Sequence, residues 1–340
     1  MLGHSRMTET TDRPLVTFAV FAYNQEEYIR EAVEGAFAQT YEPLEIILSD
    51  DCSTDRTFEI MQEMAAAYEG PHRVRAVQTD RNLGVTQHVL LRGNEAAGDI
   101  VVLAAGDDIS AETRCARHVD LYNDPSVMAV TSGYDIVDSQ GTIISRNHEQ
   151  PLIKNAASSQ RKLFNSLQHP YVVIQGSTAS YRRDAFSLRL PNWDLIFSED
   201  NLFNFLIYCH GYRAASLNES LVNYRQHESA LSNTPVRPTS FRDKELASYD
   251  AARKEVNKME TFSWIAAHSD NAEAVNIKEI EKRKRMAELI LAWPKTSTPR
   301  RIASIAHSAI FARSQMLKWK TARGTGQPPD YQPATWIRGL

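Results

Sequence analysis

The stretch VTFAVFAYNQEE, residues 16–27, contains the pattern that decides the fold. Its first seven residues are almost continuously apolar, which is typical of a strand buried on both faces of a parallel sheet. Asn24 follows this run and Glu27 comes three residues later, which is the spacing of a helix N-cap and capping box. The stretch therefore predicts a strand that leads into a helix, the first unit of an α/β fold.

Strands and helices continue to alternate up to residue 110. Further strands are predicted at residues 44–48, 74–78 and 100–104, with helices between them. The resulting order βαβαβαβ predicts a parallel sheet joined by right-handed crossovers. Such sheets bind ligands at the carboxyl ends of their strands, so we expect the functional residues along that edge.

Beyond residue 110 the alternation is less regular, and we expect the sheet to become mixed. The elements predicted there are a helix over 112–122, a strand over 128–132, a hairpin at 138–141, an extended stretch over 172–180, a helix over 200–209 and a strand over 214–224. Residues 241–258, 271–291 and 300–320 are rich in Ala, Glu, Lys and Arg. This composition predicts a C-terminal helical appendage.

The composition excludes several classes of protein. Of the 340 residues, 42% are hydrophobic and 24% charged, as in a folded globular protein. No apolar run approaches the roughly 18 residues that cross a bilayer, and residues 1–14 lack the apolar stretch of a secretory signal. Cys52, Cys115 and Cys209 lack metal-binding spacing, so free thiols are expected. We therefore expect a cytoplasmic protein without a nucleic acid partner.

Charge is distributed unevenly along the chain. Residues 278–340 contain thirteen Lys or Arg and four Asp or Glu, a net charge of +9, which leaves −13 for the remainder. A basic helical face could lie on anionic lipid at the inner face of the membrane. The same face could instead be solvated or pack on the rest of the protein, and the residues leave these alternatives open.

Polar residues collect at four consecutive predicted strand ends. They are Tyr23–Asn24, Asp50–Asp51, Asn82 and Asp107–Asp108. Carboxylates at neighbouring strand ends repel each other, so a cation or hydrogen-bond donors should lie among them. Neither GxGxxG nor GxxxxGK[ST] occurs, so phosphate groups bound here would need a metal ion rather than a glycine-rich loop.

Seven segments within residues 14–235 resemble the inverting family 2 glycosyltransferases. The segments are Tyr23–Asn24, Ser49–Asp55, Asn82–Gly84, Gly106–Asp108, Gln175–Arg183, Glu199–Asp200 and Tyr224–Ser229. The resemblance implies a glycosyltransferase A fold, a Rossmann-like mixed sheet with flanking helices. It also implies transfer of a sugar from a nucleotide diphosphate sugar to a hydroxyl of a glycan, in bacterial surface polysaccharide or lipid-linked oligosaccharide biosynthesis.

The matched segments, together with the composition outside them, predict the organisation of the chain. A disordered tail (1–13) precedes a catalytic domain (14–235), and a basic helical region (236–340) follows it. Within the catalytic domain, residues 14–110 correspond to the nucleotide-binding half and residues 111–235 to the acceptor half.

Donor-binding and metal-binding residues follow from the matched segments. Tyr23 would flank the nucleotide base, and Asp51 would accept a hydrogen bond from it. The full donor set is Tyr23, Asn24, Asp51, Asn82, Gly84, Asp107, Gly176 and Ser177. Asp107 and Asp108 would hold a divalent ion on the diphosphate, with His227 completing the metal shell. Because carboxylate and imidazole ligands occur together, Mn²⁺ is favoured over Mg²⁺.

An inverting displacement needs a base on the face of the sugar opposite the leaving group. Asp200 is the first candidate, since it lies at the start of the predicted helix over 200–209, and its neighbour Glu199 is the second. Asp200 has an alternative role as a helix N-cap. Trp193 is a candidate to stack on an acceptor sugar, although a lone Trp is more often part of a core.

One departure from the family pattern supports a different function. Ala105 stands where the family has the first carboxylate of its Asp-x-Asp-Asp block. A catalytically weak protein that binds nucleotide sugars, or a scaffold of the same fold, is therefore the alternative. A nucleotidyltransferase would need a glycine-rich basic loop near residues 21–24, and the sequence has Phe-Ala-Tyr-Asn there.

Overall fold

The computed structural model describes residues 13–149, 152–153, 161–165, 171–228, 230, 241–269 and 271–292. Within these residues the strands are β1 (Val16–Ala22), β2 (Leu44–Asp50), β3 (Arg73–Gln78), β4 (Ile100–Ala105), β5 (Ile109–Ser110), β6 (Val127–Val137), β7 (Ile143–His148), β8 (Leu152–Ile153), β9 (Tyr171–Val172), β10 (Ala179–Arg182) and β11 (Arg213–Arg225). The helices are α1 (Ile29–Phe37), α2 (Thr57–Ala66), α3 (Val85–Glu95), α4 (Arg114–Val119), α5 (Glu199–Cys209), α6 (Phe241–Ala267) and α7 (Ile277–Ala292). The predicted N-terminal tail, except for its last residue, and the predicted helix over 300–320 lie outside the described residues.

The first four strands form the parallel sheet that the alternation predicts. Their order is β3-β2-β1-β4, and β1 pairs in parallel with both β2 and β4. Alternate residues of β1 point to opposite faces: Phe18 and Val20 pack in one apolar cluster and Ala19 in the other. Burial on both faces explains the nearly continuous apolar run, and the shared strand direction places the four carboxyl ends on one edge.

The second half of the sheet is mixed, also as predicted. β10 is antiparallel to its neighbours β4 and β6, and β11 is parallel to β6. β11 therefore runs in the direction of β4, and both strands end at the same edge. β5, which follows Asp107–Asp108, turns back and pairs with β11 at Val222 and Asn223. This arrangement brings residues 225–228 next to the Asp107–Asp108 turn, although more than a hundred residues separate them in the sequence.

Helices cover both faces of the sheet. Ile29 and Val33 of α1 pack in the cluster with Phe18, while α3 and α5 cover the opposite face. The C-terminal helix α6 joins that second face, where the rings of Phe205 and Phe262 stack with their centroids 3.9 Å apart. The predicted domain boundary at residue 235 lies outside the described residues.

The capping-box prediction for the first helix is wrong. α1 begins at Ile29, and no side chain caps it. Asn24 instead adopts a left-handed φ of 52°, and its side-chain oxygen accepts a hydrogen bond from the Thr54 backbone N–H. The Asn24 oxygen cannot cap α1 because it already accepts a hydrogen bond from a backbone N–H thirty residues away, in the loop after β2. Asp55, by contrast, accepts from the Thr57 N–H at the start of α2.

The basic residues of α7 are partly paired. Lys282 and Arg283 contact Glu279 at 3.1 and 3.2 Å, and Lys284 contacts Glu260 of α6 at 3.1 Å. Acidic neighbours therefore offset much of the positive charge that the run of basic residues presents. None of the described helices is both long and apolar enough to cross a membrane.

Candidate active site

The loops after β1 and β2 are joined by hydrogen bonds. The Asn24 N–H donates to Ser53 Oγ at 2.8 Å, and the Gln25 N–H donates to Thr57 Oγ1 at 2.8 Å. Asn24 therefore shapes the loop in addition to any contact with a ligand. Tyr23, one residue earlier, remains 44% exposed. An exposed ring on a braced loop suits the predicted role of flanking a nucleotide base.

Asp51 organises the turn after β3. Its carboxylate accepts hydrogen bonds from the Thr79 hydroxyl at 3.0 Å and from the backbone N–H groups of Leu83 and Gly84, each at 2.9 Å. The Gly84 N–H also lies 3.0 Å from Asn82 Oδ1. Since a carboxylate has about four acceptor positions, these contacts use most of them. The predicted contact between Asp51 and a base stays a prediction.

Asp107 and His227 meet at the sheet edge. His227 Nε2 lies 3.0 Å from Asp107 Oδ2, and both side chains are largely buried. The His227 ring packs against Tyr28, with the ring centroids 4.4 Å apart. The structure thus brings together a carboxylate and an imidazole that are 120 residues apart in the sequence.

Asp108 is buried directly beneath this pair. Its Oδ1 accepts from the Arg225 N–H at 2.9 Å, whereas its Oδ2 has no hydrogen bond of normal geometry within the described part of the chain. Burial, reinforced by the charge of Asp107, raises the pKa of Asp108 to about 8, while the Arg225 N–H and the nearby Ser177 hydroxyl act in the opposite direction. A bound cation would favour the charged form.

Gly176 and Ser177 connect the Asp107–Asp108 turn to the start of α5. A Cβ added to Gly176 would lie 1.9 Å from Glu199 Oε1, so the Glu199 carboxylate lies against the glycine backbone. Ser177, the next residue, faces Asp108. The Gly176 backbone therefore lies against the Glu199 carboxylate, and the hydroxyl of the adjacent Ser177 lies near Asp108.

The carboxylates of Glu199 and Asp200 have different environments. Asp200 Oδ1 accepts from the Ser198 hydroxyl at 2.5 Å and from the Asn201 N–H at 2.6 Å, at the first turn of α5. Burial, and next the charge of Asp200, raise the pKa of Glu199 to about 7. Asp200 is therefore the more firmly anchored carboxylate, whereas Glu199 has a pKa suited to proton transfer near neutral pH.

Asn204 and Tyr208 fix α5 against the strand segment that precedes Gly176. Asn204 exchanges hydrogen bonds with the N–H and C=O of Ile174 at 3.1 and 3.0 Å. One turn further on, the Tyr208 hydroxyl bonds both backbone groups of Val172. These buried contacts set the position of Glu199 relative to Gly176, and the sequence analysis did not single out either side chain.

Comparisons with known proteins identify the family and the fold. The sequence model of "Glycosyl transferase family 2" matches residues 17–189, just over half of the chain. The chain belongs to this family. Its fold is also that of residues 1–349 of S. aureus TarS in complex with UDP-GlcNAc, with a TM-score of 0.53, 17% identity and coverage of 88% of this chain and 81% of that one. The predicted glycosyltransferase A fold is confirmed.

Relatives of family 2 differ in how much of their length is matched. A Mycobacterium tuberculosis protein is 44% identical over 88 residues, 26% of this chain and 25% of that protein. The glycosyltransferase EpsJ of Bacillus subtilis is 25% identical over 232 residues, 66% of this chain and 65% of its own length. TuaG of the same organism, named for teichuronic acid biosynthesis, is 24% identical over 225 residues, 66% of this chain and 84% of TuaG. The matched part of the chain therefore covers less than two thirds of the length of the Mycobacterium tuberculosis protein and of EpsJ.

The family 2 site has donor atoms that fit a divalent ion. Among the described residues no three His, Cys, Asp or Glu side chains form a ready metal cage. An ion of this kind needs no such cage, because it is usually held by one or two carboxylates together with substrate phosphates and water. Asp107 Oδ2 and His227 Nε2 lie 3.0 Å apart, within hydrogen-bonding distance, so a carboxylate oxygen and an imidazole nitrogen that could each bind a divalent ion are adjacent at this point.

Trp193 lies on the C-terminal side of the family 2 domain, against α6. Its Nε1 donates to Thr261 Oγ1 at 3.3 Å, and its ring meets that of Trp264 edge-on with centroids 6.4 Å apart. The side chain is 37% exposed, so one part of it is accessible and the rest is packed. Its contact with an acceptor sugar stays a prediction.

Arg225 is a further residue beside the candidate site that was not among the predicted site residues. The side chain is fully buried next to the Asp107–Asp108 turn, which we call the acidic turn, and its Nε donates to the Asp107 carbonyl at 2.9 Å. Its position in the matched segment 224–229 was the only signal for it in the sequence, because its partners lie on other elements.

Proposed function

We propose that this protein is an inverting glycosyltransferase that moves a sugar from a nucleotide diphosphate sugar to a hydroxyl of a glycan acceptor. The observation that carries the proposal is the Gly176–Ser177 link, which contacts the Glu199 carboxylate on one side and faces Asp108 on the other. Displacement at an anomeric carbon needs a cation or hydrogen-bond donors to stabilise the leaving diphosphate, and a base on the opposite face. The Gly176–Ser177 link places carboxylates that could hold such a cation close to a carboxylate that could act as the base.

The acidic turn would receive the diphosphate of the donor. Breaking the bond to the anomeric carbon leaves two to three negative charges on the leaving group, and a divalent ion, when bound, neutralises part of that charge. Asp107 and His227 would hold the ion, with Asp108 beneath them. Mn²⁺ suits the mixed carboxylate and imidazole ligands better than Mg²⁺ does.

Glu199 and Asp200 would supply the base. One of these carboxylates accepts the proton of the acceptor hydroxyl while the hydroxyl oxygen bonds to the anomeric carbon, and the bond to the diphosphate oxygen breaks on the other face. The anchored position of Asp200 favours it as the acceptor of the proton, and the raised pKa of Glu199 favours Glu199. Isosteric variants of each residue separate the two assignments.

The loops at the ends of β1 and β3 would bind the nucleotide. Tyr23 would flank the base, and Asp51 would hold the Asn82–Gly84 turn in place for it. UDP is the first nucleotide to test, because the TarS region of the same fold is described with UDP-GlcNAc. The name of TuaG supports an acceptor in bacterial surface polysaccharide synthesis, and a lipid-linked glycan is the other acceptor class in this proposal.

The proposal is tested first by binding. Thermal-shift and calorimetric titrations with UDP, GDP and CDP, each with Mn²⁺ or with EDTA, should give one nucleotide that binds only with the metal. A ligand at 100 times its dissociation constant stabilises the fold by roughly 2.7 kcal/mol, which is readily measured. Tight binding in EDTA would contradict the metal-dependent part of the proposal.

Turnover separates the enzyme from a nucleotide-sugar-binding protein or scaffold. Release of UDP from a panel of UDP-sugars that includes UDP-GlcNAc should be detectable and should fall in Asp200→Asn or Glu199→Gln. Binding without turnover for any donor, with bacterial glycan acceptors present, would favour the non-catalytic alternative that Ala105 suggests.

A further inference from the structure

Arg225, the last residue of β11, connects α1 and the β6–β7 turn to the acidic turn. Its backbone N–H donates to Asp108 Oδ1 at 2.9 Å, and its Nε donates to the Asp107 carbonyl at 2.9 Å. One terminal nitrogen donates to the Ser139 carbonyl, in the turn between β6 and β7, at 2.9 Å. The other donates to Glu31 of α1 at 2.8 Å. A single residue thus joins α1, the β6–β7 turn and the acidic turn.

The same guanidinium also reaches His227 through an aromatic ring. The Arg225 Cζ lies 5.0 Å from the centroid of the Tyr28 ring, and the Tyr28 ring packs on His227 at 4.4 Å. Arg225 is therefore linked to all three residues that would face the cation: to the Asp108 carboxylate through its backbone N–H, to the Asp107 backbone carbonyl through its Nε, and to His227 through the Tyr28 ring.

The burial of this charge needs a reason beyond packing. The Arg225 side chain has no exposed surface, while its one carboxylate partner, Glu31, is 46% exposed. Burying a guanidinium is costly, and its planar fork of donors cannot be reproduced by the single ammonium of lysine. Two of the four groups that Arg225 bonds, the Asp108 carboxylate and the Asp107 carbonyl, belong to the residues of the candidate metal site.

We propose that Arg225 is a positioning residue that fixes Asp107, Asp108 and His227 in the arrangement that receives a divalent cation and the diphosphate of the donor. This inference rests on the proposed function. Arg225 itself contacts neither the cation nor the sugar; it acts through the residues that do. Residues that orient metal ligands in this way typically change metal affinity by 10- to 100-fold when mutated.

Arg182 offers a matched control at the opposite edge of the sheet. Its Nε donates to the Val127 carbonyl at 2.9 Å, a terminal nitrogen donates to the Tyr122 carbonyl at 2.6 Å, and its Cζ lies 5.1 Å from the Tyr122 ring. Arg182 pairs with Ile100 at the start of β4, whereas Arg225 lies beside the residues that follow the end of β4. Arg182→Lys therefore removes similar contacts far from the candidate site.

The test compares the wild-type chain with Arg225→Lys, Glu31→Gln and Arg182→Lys. Mn²⁺ affinity is measured without nucleotide from the electron paramagnetic resonance signal of free Mn²⁺, and UDP affinity is measured calorimetrically with saturating Mn²⁺. We expect Arg225→Lys to weaken Mn²⁺ binding by about 10- to 100-fold. Glu31→Gln should weaken it by a smaller factor, and Arg182→Lys should leave it within twofold while lowering the melting temperature.

Each outcome decides the proposal. Selective loss of Mn²⁺ affinity in Arg225→Lys, at a melting temperature no lower than that of Arg182→Lys, supports it. Unchanged affinity in a folded Arg225→Lys overturns it while leaving the proposed function in place. If Arg225→Lys does not fold, Glu31→Gln decides: weaker binding supports the proposal and unchanged binding overturns it. A wild-type chain that binds neither Mn²⁺ nor UDP contradicts the proposed function, and the role of Arg225 fails with it.

Discussion

Gly176→Ala should separate activity from stability. The added methyl carbon would lie 1.9 Å from Glu199 Oε1. That oxygen is at the end of a flexible side chain, so the carboxylate can move away by rotation without displacing the backbone. Gly176 does not have a positive φ, and its backbone accepts alanine. The substitution therefore moves the candidate base while the fold remains intact.

The size of the effect follows from this displacement. An ordinary carbon–oxygen contact is about 3.4 Å, so the carboxylate must retreat by about 1.5 Å. A misplacement of about 1 Å in a catalytic group can lower the rate about 10²-fold, equivalent to about 2.7 kcal/mol in the activation free energy. Alanine also restricts the unfolded chain, which contributes about 0.4–1 kcal/mol of stability and offsets the cost of the rotation.

The assay is UDP release from UDP-sugars in parallel with thermal unfolding. We expect Gly176→Ala to lose turnover about 10²-fold with its melting temperature within a few degrees of wild type. Gly93→Ala is the control, because its Cβ would overlap the Phe186 ring at 2.0 Å in the core, away from the acidic turn. It should lose stability but keep the turnover of its folded fraction. Wild-type turnover in Gly176→Ala would refute the role of the Glu199 carboxylate at this position.

Four further predictions concern the base, the pKa of Glu199, the turn after β3 and the basic residues at the C-terminal end of the chain. Asp200→Asn or Glu199→Gln, whichever removes the base, should lower transfer by about 10² to 10⁴ with donor binding retained; retained turnover in both would exclude the pair. The pKa of Glu199 is raised from 4.5 to about 7, so the protonated carboxyl stabilises the fold fully below pH 4.5, and this stabilisation is lost as the pH rises through 7. The free energy of unfolding measured in urea should therefore fall by about 3 kcal/mol over this range in the wild type, and this decline should be absent in Glu199→Gln. Asp51→Asn should weaken UDP binding by at least tenfold, because an amide cannot accept from all the donors that the carboxylate accepts from; calorimetry showing wild-type affinity would contradict this. Removal of residues 293–340 should abolish salt-dependent sedimentation with anionic vesicles. Equal sedimentation of the truncated and full-length chains would reject membrane contact through these residues.

Local patterns were sufficient to predict the sheet and its functional edge. The apolar run of β1 and the strand–helix alternation to residue 110 predicted the four parallel strands, since hydrophobic period and run length report burial directly. Parallel strands necessarily share a carboxyl edge, so the convergence of Asp51 and Asp107 on that edge also followed from the sequence.

The local interpretation of Asn24 failed for an equally physical reason. A capping box is a contact within four residues, but the oxygen of Asn24 bonds Thr54 in the loop after β2. The sequence pattern cannot rank the nearby backbone N–H donor of a capping box against a distant N–H donor whose position depends on the fold. The same limit applies to Asp51, whose contacts with Leu83 and Gly84 appear only once β2 and β3 are paired.

The amino-acid sequence by itself determined the class of fold, the sheet edge on which the candidate site lies and most of the candidate site residues. Only the tertiary structure determined which side chains meet there: Glu199 against Gly176, His227 against Asp107, and Arg225 beneath the acidic turn. These contacts join residues 23 to 120 positions apart and depend on strand order and direction. Periodicity and propensity describe each segment alone, so they carry no information about pairings that a shared sheet edge creates.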